Sequence, residues 1–154
     1  MDEQIYDDLP LENGGIMRLV SKPSWSIYYF DALGRRHNTV GPSINHNNRT
    51  KMWFIHGKRH REDGPALITP IGEIWYYNGM IHRFGEPART HHEFKTKEYF
   101  LYDTQYSREK YNKIMFIIKT LCNKLKNVLR CKYNQKLSLT SVFYAKDNIS
   151  FYSI

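Results

Sequence analysis

Trp53-Phe-Ile-His-Gly-Lys-Arg-His-Arg-Glu-Asp-Gly-Pro-Ala66 is the stretch that decides the fold, because it returns. Trp75-Tyr-Tyr-Asn-Gly-Met-Ile-His-Arg-Phe-Gly-Glu-Pro-Ala88 follows 22 residues later, and Phe30-Asp-Ala-Leu-Gly-Arg-Arg-His-Asn-Thr-Val-Gly-Pro-Ser43 precedes it by 23. Gly34, Gly57 and Gly79 form one column, His37, His60 and His82 a second, Pro42, Pro65 and Pro87 a third. Trp53 and Trp75 open the two fullest copies, Arg61 and Arg83 follow their histidines, and Gly64 precedes Pro65. A fixed period of this size marks a repeat architecture, in which each unit is too small to bury its own apolar face and stacks on its neighbours. Such arrays build extended surfaces more often than closed catalytic pockets.

Each copy reads as two short strands and two turns. Asn78-Gly79 is the strongest short hairpin signal, since a type I′ turn needs positive φ at both central residues. His56-Gly57 stands at the same place, and Pro70-Ile71-Gly72-Glu73 supplies a second turn about half a period on. Successive hairpins of this kind predict an antiparallel meander. A worn fourth copy, Tyr99-Phe-Leu-Tyr-Asp-Thr-Gln-Tyr106, puts Asp103 at the glycine position and Tyr106 at the histidine position. Terminal repeats depart from the pattern because they cap the stack.

Beyond Tyr106 the periodicity changes. Ser107 can cap a helix, and Glu109 in its first turn suits the helix dipole. Tyr111, Ile114, Met115, Ile118, Leu121, Cys122, Leu125, Val128 and Leu129 recur at three and four residues, the mark of an amphipathic helix. The fold expected is mainly β with a C-terminal helix (β+α): an antiparallel β-hairpin repeat meander of about three to four units, capped by a long basic amphipathic helix. The boundaries expected are an acidic lead-in at 1–14, a β-repeat domain at 15–106, the helix at 107–136, and a tail of strands at 137–154.

Charge is informative once located. The net charge is +8, and residues 107–136 hold nine basic residues against one acid, Glu109, so the whole surplus lies there and the repeat region is neutral. Lys113, Lys119, Lys124, Lys126, Arg130 and Lys132 are therefore candidate contacts to a polyanion. The chain carries 41% hydrophobic residues, enough to exclude global disorder, and no apolar run long enough to span a membrane as a helix. The acidic start lacks the apolar region of a secretory signal. Cys122 and Cys131 lie on one expected helix, roughly 13 Å apart, beyond disulfide reach. Two free thiols point to a reducing, intracellular compartment.

His60-Arg-Glu-Asp-Gly-Pro-Ala and Trp75-Tyr-Tyr-Asn-Gly-Met-Ile-His-Arg resemble MORN-like "His-Arg-x-Asp-Gly-Pro-Ala" repeats, numerous in giant double-stranded DNA viruses and present in bacteria and phages. The resemblance covers about Tyr28 to Tyr111. It implies a β-hairpin repeat sheet, no catalytic activity, and a final aromatic strand leading into a Ser- or Thr-started helix. Glu86 stands where the pattern has glycine, Asn38 where it has arginine, and residues 137–154 lie outside it.

The histidine column invites a metal reading. Equivalent positions in such a meander lie two strands apart, roughly 10 Å, which one ion cannot bridge. The histidines are expected to be structural, hydrogen-bonded to the Gly-Pro loops, and His82 with His91 and His92 is a weaker ion-binding alternative. No nucleophile–base pair or Walker loop stands out, so neither enzyme chemistry nor a cofactor is expected. The aromatics Trp25, Trp53, Trp75, Tyr76, Tyr77, Tyr99 and Phe100 are expected to form one covered face. The function expected is a non-catalytic structural or protein-interaction module, viral and a minor virion component, acting in the virion or host cytoplasm and binding itself or other virion proteins. The alternative is a nucleic-acid-associated protein that binds through the basic helix.

Overall fold

The computed structural model describes residues 5–20, 25–47 and 49–133. The chain divides into two units, one ending at Arg108 and one beginning at Glu109. In the first, β1 (Ile5–Pro10), β2 (Ile16–Val20), β3 (Ser26–Phe30), β4 (Ile44–His46) and β5 (Lys51–Met52) follow one another across a sheet. Two short hairpins branch from its course: β6 (Phe54–Ile55) with β7 (Lys58–Arg59), and β10 (Tyr76–Tyr77) with β11 (Met80–Ile81). Between and after them β8 (Leu67–Thr69), β9 (Gly72–Ile74), β12 (Arg89–His91), β13 (Thr96–Leu101) and β14 (Thr104–Tyr106) complete a ten-stranded sheet in which all neighbours run antiparallel. The expected meander is the observed one.

The tryptophans sit where a strand changes partner. Trp53 N–H donates to Ala66 O at 2.9 Å in the main sheet, while its carbonyl accepts from His60 N–H at 3.2 Å in the branch hairpin. Trp75 repeats both bonds with Ala88 and His82, at 2.7 and 3.1 Å. The hairpins then form a second ladder: Gly57, Gly79 and Asp103 N–H groups donate to Arg36 O, Arg59 O and Ile81 O of the preceding hairpins at 2.8, 2.7 and 3.0 Å. Each repeat is thus tied to the next along two lines of backbone bonds.

The turns explain which residues the pattern tolerates. His56-Gly57, Asn78-Gly79 and Tyr102-Asp103 all have positive φ at both positions, as type I′ turns require. Asp103 can replace glycine because its Oδ1 also accepts Ile81 N–H at 2.7 Å. The first copy departs from this. Asp31 N–H donates to Arg35 O and Gly34 N–H to Asp31 O, enclosing a three-residue loop with only Gly34 in the left-handed region. Ala32 and Leu33 are poor choices for positive φ, so the chain takes the longer loop. The register shifts by one, and Tyr29, not Phe30, holds the tryptophan position, with N–H to Ser43 O at 2.8 Å and its carbonyl accepting from His37 N–H at 3.0 Å.

The lead-in reading of 1–14 needs correction. Ile5–Pro10 is the first strand of the sheet, and Leu11–Gly15 makes the same three-residue turn as Asp31–Arg35, with Gly14 in the left-handed region. The Asp7-Asp8 pair obscured the strand pattern by resembling a solvated lead-in. Asp8 instead takes a two-pronged ion pair from Arg18, both bonds at 2.8 Å.

Besides Gly15, Gly64, Gly72 and Pro87, the buried residues described in this unit are Val20, Ser26, Ser43, Ile44, Thr50, Ala66, His82, Ala88 and Phe100. Ser43, Ala66 and Ala88, the small residues after Gly-Pro or Glu-Pro, are fully enclosed. Ala66→Leu is expected to lower stability by about 1–3 kcal/mol through overpacking, read as a shift in urea midpoint. The expected single aromatic core is not what forms. Trp53, Trp75, Tyr76 and Tyr77 are half-buried and Trp25 is exposed, while guanidinium groups cover several rings on both sides of the strands. Arg61 and Arg83 lie over Trp53 and Trp75; Arg36 lies over Tyr28 and Phe30, and Arg59 over Phe54 and Tyr76. Where these rings are only half-buried, the flat cation covers them.

The second unit contains α1 (Arg108–Tyr133), with Ser107 immediately before it and Glu109 in its first turn; the rest of the expected helix, to 136, lies outside the described residues. Tyr111, Met115 and Cys122 are its buried positions. The expected strands at 137–154 lie outside the described residues, as does the side chain of Cys131. Cys122 is a free thiol.

Candidate functional site

The three signature histidines do one job. His37 Nδ1 accepts the His56 N–H at 3.1 Å, His60 Nδ1 the Asn78 N–H at 3.1 Å, and His82 Nδ1 the Tyr102 N–H at 3.2 Å. Each ring therefore ties the first central residue of the next type I′ turn, not the Gly-Pro loop of its own repeat as expected. The ring also lies against an aromatic of that turn: His37 on His56 at 4.2 Å, His60 on Tyr77 at 4.9 Å, His82 on Tyr102 at 4.0 Å. An Nδ1 that accepts must be unprotonated, so these bonds exist only on neutral rings. Burial, and next the neighbouring His56, holds His37 below the ordinary histidine value.

The arginine column closes the loops. Arg61 Nη1 donates to Pro65 O at 3.4 Å and Arg83 Nη1 to Pro87 O at 3.2 Å, each lying across its own tryptophan. Gly64 makes room for this: a Cβ there would sit 2.6 Å from the Arg61 guanidinium carbon. Arg61 Nε also bonds Asp63 at 2.8 Å, which holds that carboxyl below its usual range. In the third copy Gly85, not Glu86, needs the special backbone, with φ of 82°, which accounts for the displaced glycine. In the first copy Asn38 Nδ2 donates to Pro42 O at 3.2 Å and its Oδ1 accepts from Val40 and Gly41 N–H groups. The shorter side chain closes the same loop without reaching the aromatic ring.

Sequence spacing gave no sign that Asp31, His37 and His56 would meet, yet they offer ligand atoms within 4.8 Å of one another, the only such group among the described residues. Repeat stacking brings them together, by setting the second hairpin turn against the first histidine. The cluster is already engaged. Asp31 accepts from Arg35 Nε at 2.8 Å and from the Leu33 and Arg35 N–H groups, and His56 Nδ1 lies 3.1 Å from its other contacts, Asp31 Oδ2 and Arg35 Nη2. The Arg35 bond, with His56 and the turn amides adding, holds Asp31 far below the carboxylate range. A guanidinium in that position opposes a metal cation. His82, His91 and His92 do not assemble: His82 ties Tyr102, and His91 Nδ1 faces Phe94 N–H at 3.4 Å.

On the helix, Lys113, Lys119 and Lys124 are exposed and Lys126 is half-buried. At 100° per residue Lys113 and Lys124 share one side, Lys119 and Lys126 another. They do not form one patch. The side chains of Arg130 and Lys132 lie outside the described residues. What does line up is apolar: Ile117, Leu121 and Leu125 are 56%, 53% and 46% exposed along one line of the helix, with Phe116 73% exposed beside them. Comparison of the chain with protein-family models, with curated proteins and with solved structures finds no match.

Proposed function

We propose that this chain is a non-catalytic repeat protein that holds a protein partner, with the helix row Ile117, Leu121 and Leu125 as its docking element. The exposure of this row carries the reading, because an apolar line with lysines at its margin is what a helix presents to a protein groove. The repeats supply the scaffold: their histidines, arginines and turn aspartates make links between and within repeats. The resemblance to viral repeat proteins makes the natural setting a virus particle or infected cell, with this chain as a minor component of a larger assembly.

The test is association of the full chain, with itself or with virion proteins, measured at low and high salt beside a Leu121→Glu/Leu125→Glu variant. Apolar docking survives high salt and drops at least about tenfold in the variant, since each lost leucine contact is worth roughly 1–2 kcal/mol. The competing reading is nucleic-acid binding, favoured by the exposure of Lys113, Lys119 and Lys124. It requires DNA affinity that falls steeply with salt and is lost when the helix lysines are neutralised. That result, with the leucine variant unimpaired, would replace the docking reading.

A further inference from the structure

Beside the first repeat, Leu11, Glu12, Tyr29, Asn38, Val40 and Pro42 help line an open cavity of about 630 Å³. The later repeats show what belongs there. In each, an arginine lies over the aromatic ring at the strand-branching position, 4.1 Å from the Trp53 ring and 3.9 Å from that of Trp75, and donates to the carbonyl of the loop proline. Tyr29 occupies that branching position in the first repeat, by the same pair of backbone bonds. Its arginine is replaced by Asn38, which reaches the Pro42 carbonyl but is folded into its own loop. The glycines give independent witness. A Cβ on Gly64 would collide with the Arg61 guanidinium at 2.6 Å, whereas one on Gly41, the equivalent position, would find only Asn38 Nδ2 at 3.8 Å. The other nearby guanidinium groups are committed elsewhere: Arg35 to Asp31, Arg36 to the rings of Tyr28 and Phe30.

We infer that this cavity, which no arginine among the described residues fills, is a guanidinium seat that takes an arginine side chain from a partner protein. The guest lies on the Tyr29 ring as Arg61 lies on Trp53, its charge met by the ring face and by Glu12, and the Pro42 carbonyl keeps a lone pair for it. The volume falls within the range of ligand sites and accommodates the whole side chain with its flanking backbone at the mouth. Val40, 97% exposed, stands at the rim as an apolar contact for that backbone. The seat goes beyond the helix-docking reading and shares no residue with it, so either stands if the other fails.

The probe is an acetylated, amidated Gly-Arg-Gly peptide titrated into the full chain, with the Tyr29 ring and the Val40 and Gly41 amides followed by NMR. Saturable shifts at these groups are expected, with affinity about tenfold weaker for the peptide carrying neutral citrulline in place of arginine. Asn38→Arg supplies the missing side chain from within and is expected to abolish binding; repeats two and three already fold with arginine there. Glu12→Gln, a change at an exposed residue, is expected to weaken binding about twofold. Absence of saturable shifts at millimolar peptide, equal binding of the citrulline peptide, or undiminished binding by a folded Asn38→Arg protein would each overturn the seat.

Discussion

Gly72→Ala is expected to destabilise the repeat unit by about 3 kcal/mol or more. Gly72 begins β9 opposite His91 of β12. A Cβ built on it would sit 2.2 Å from Thr90 O, with Thr90 C and His91 Cα at 3.2 Å. All three obstacles are backbone, so no side chain can swing aside, and relief requires β12 to move away from β9. That movement also strains the Ala88 bonds to Trp75 and Glu98, which lock the third repeat to the fourth. Gly34→Ala is the control. Its φ of 73° makes any side chain strained, but the space around it is open, so a cost of only about 1–2 kcal/mol is expected. Urea unfolding of both variants at unchanged m-value measures the difference. Equal costs would mean that the close approach of Thr90 to Gly72 does not exist in solution.

Acidification through the histidine range is expected to remove about 1 kcal/mol as the His37 Nδ1 acceptor is lost. The sign follows from which state takes the proton. His37 is held below its ordinary value in the folded protein, first by burial, so the unfolded chain protonates first as pH falls. Its contribution is complete above about pH 6.5, the ordinary histidine value, and drains away as pH falls through the lower folded value. Asp31, Asp63 and Asp8 are depressed carboxylates, bonded respectively to Arg35, Arg61 and Arg18. Their contributions are present above the ordinary carboxylate value and fail only at more acid pH, so the two windows separate. Urea midpoints from about pH 7.5 to 5 report the histidine window alone. His37→Asn keeps a side-chain acceptor that does not titrate, and should flatten the slope. A midpoint that stays level across this range would show that the His37 ring does not tie the first repeat to the second.

Much of this was legible from spacing. Gly57, Gly79 and the Asn78 beside it announced hairpins because few residues tolerate positive φ, and the observed angles at 56, 57, 78 and 79 agree. The helix was legible because its apolar residues keep helical spacing whatever surrounds them. The first repeat was misaligned by one residue, because Phe30 sits at the right spacing from Gly34 and nothing in the sequence reveals a three-residue turn. Ala32-Leu33 before that glycine was the available signal. The strand Ile5–Pro10 was missed because its Asp7-Asp8 pair resembles a solvated lead-in. The histidine column was read as structural, but its partner was misassigned: an Nδ1 that bonds the next repeat's turn is a relation between units, and periodicity describes only one unit at a time.

The sequence by itself determined the repeat, its turns and the β+α order, since these rest on local backbone chemistry: where φ is positive, where an N–H is missing, where apolar residues alternate or recur. Only the tertiary structure decided how the units hold one another. Trp53 and Trp75 became branch points capped by Arg61 and Arg83, Asp31 met His56 across 25 residues, and no arginine among the described residues came to lie above Tyr29. Such meetings depend on the register between strands and the stacking of successive hairpins, and a single residue inserted in one turn, as at Asp31–Arg35, shifts which ring faces which cation.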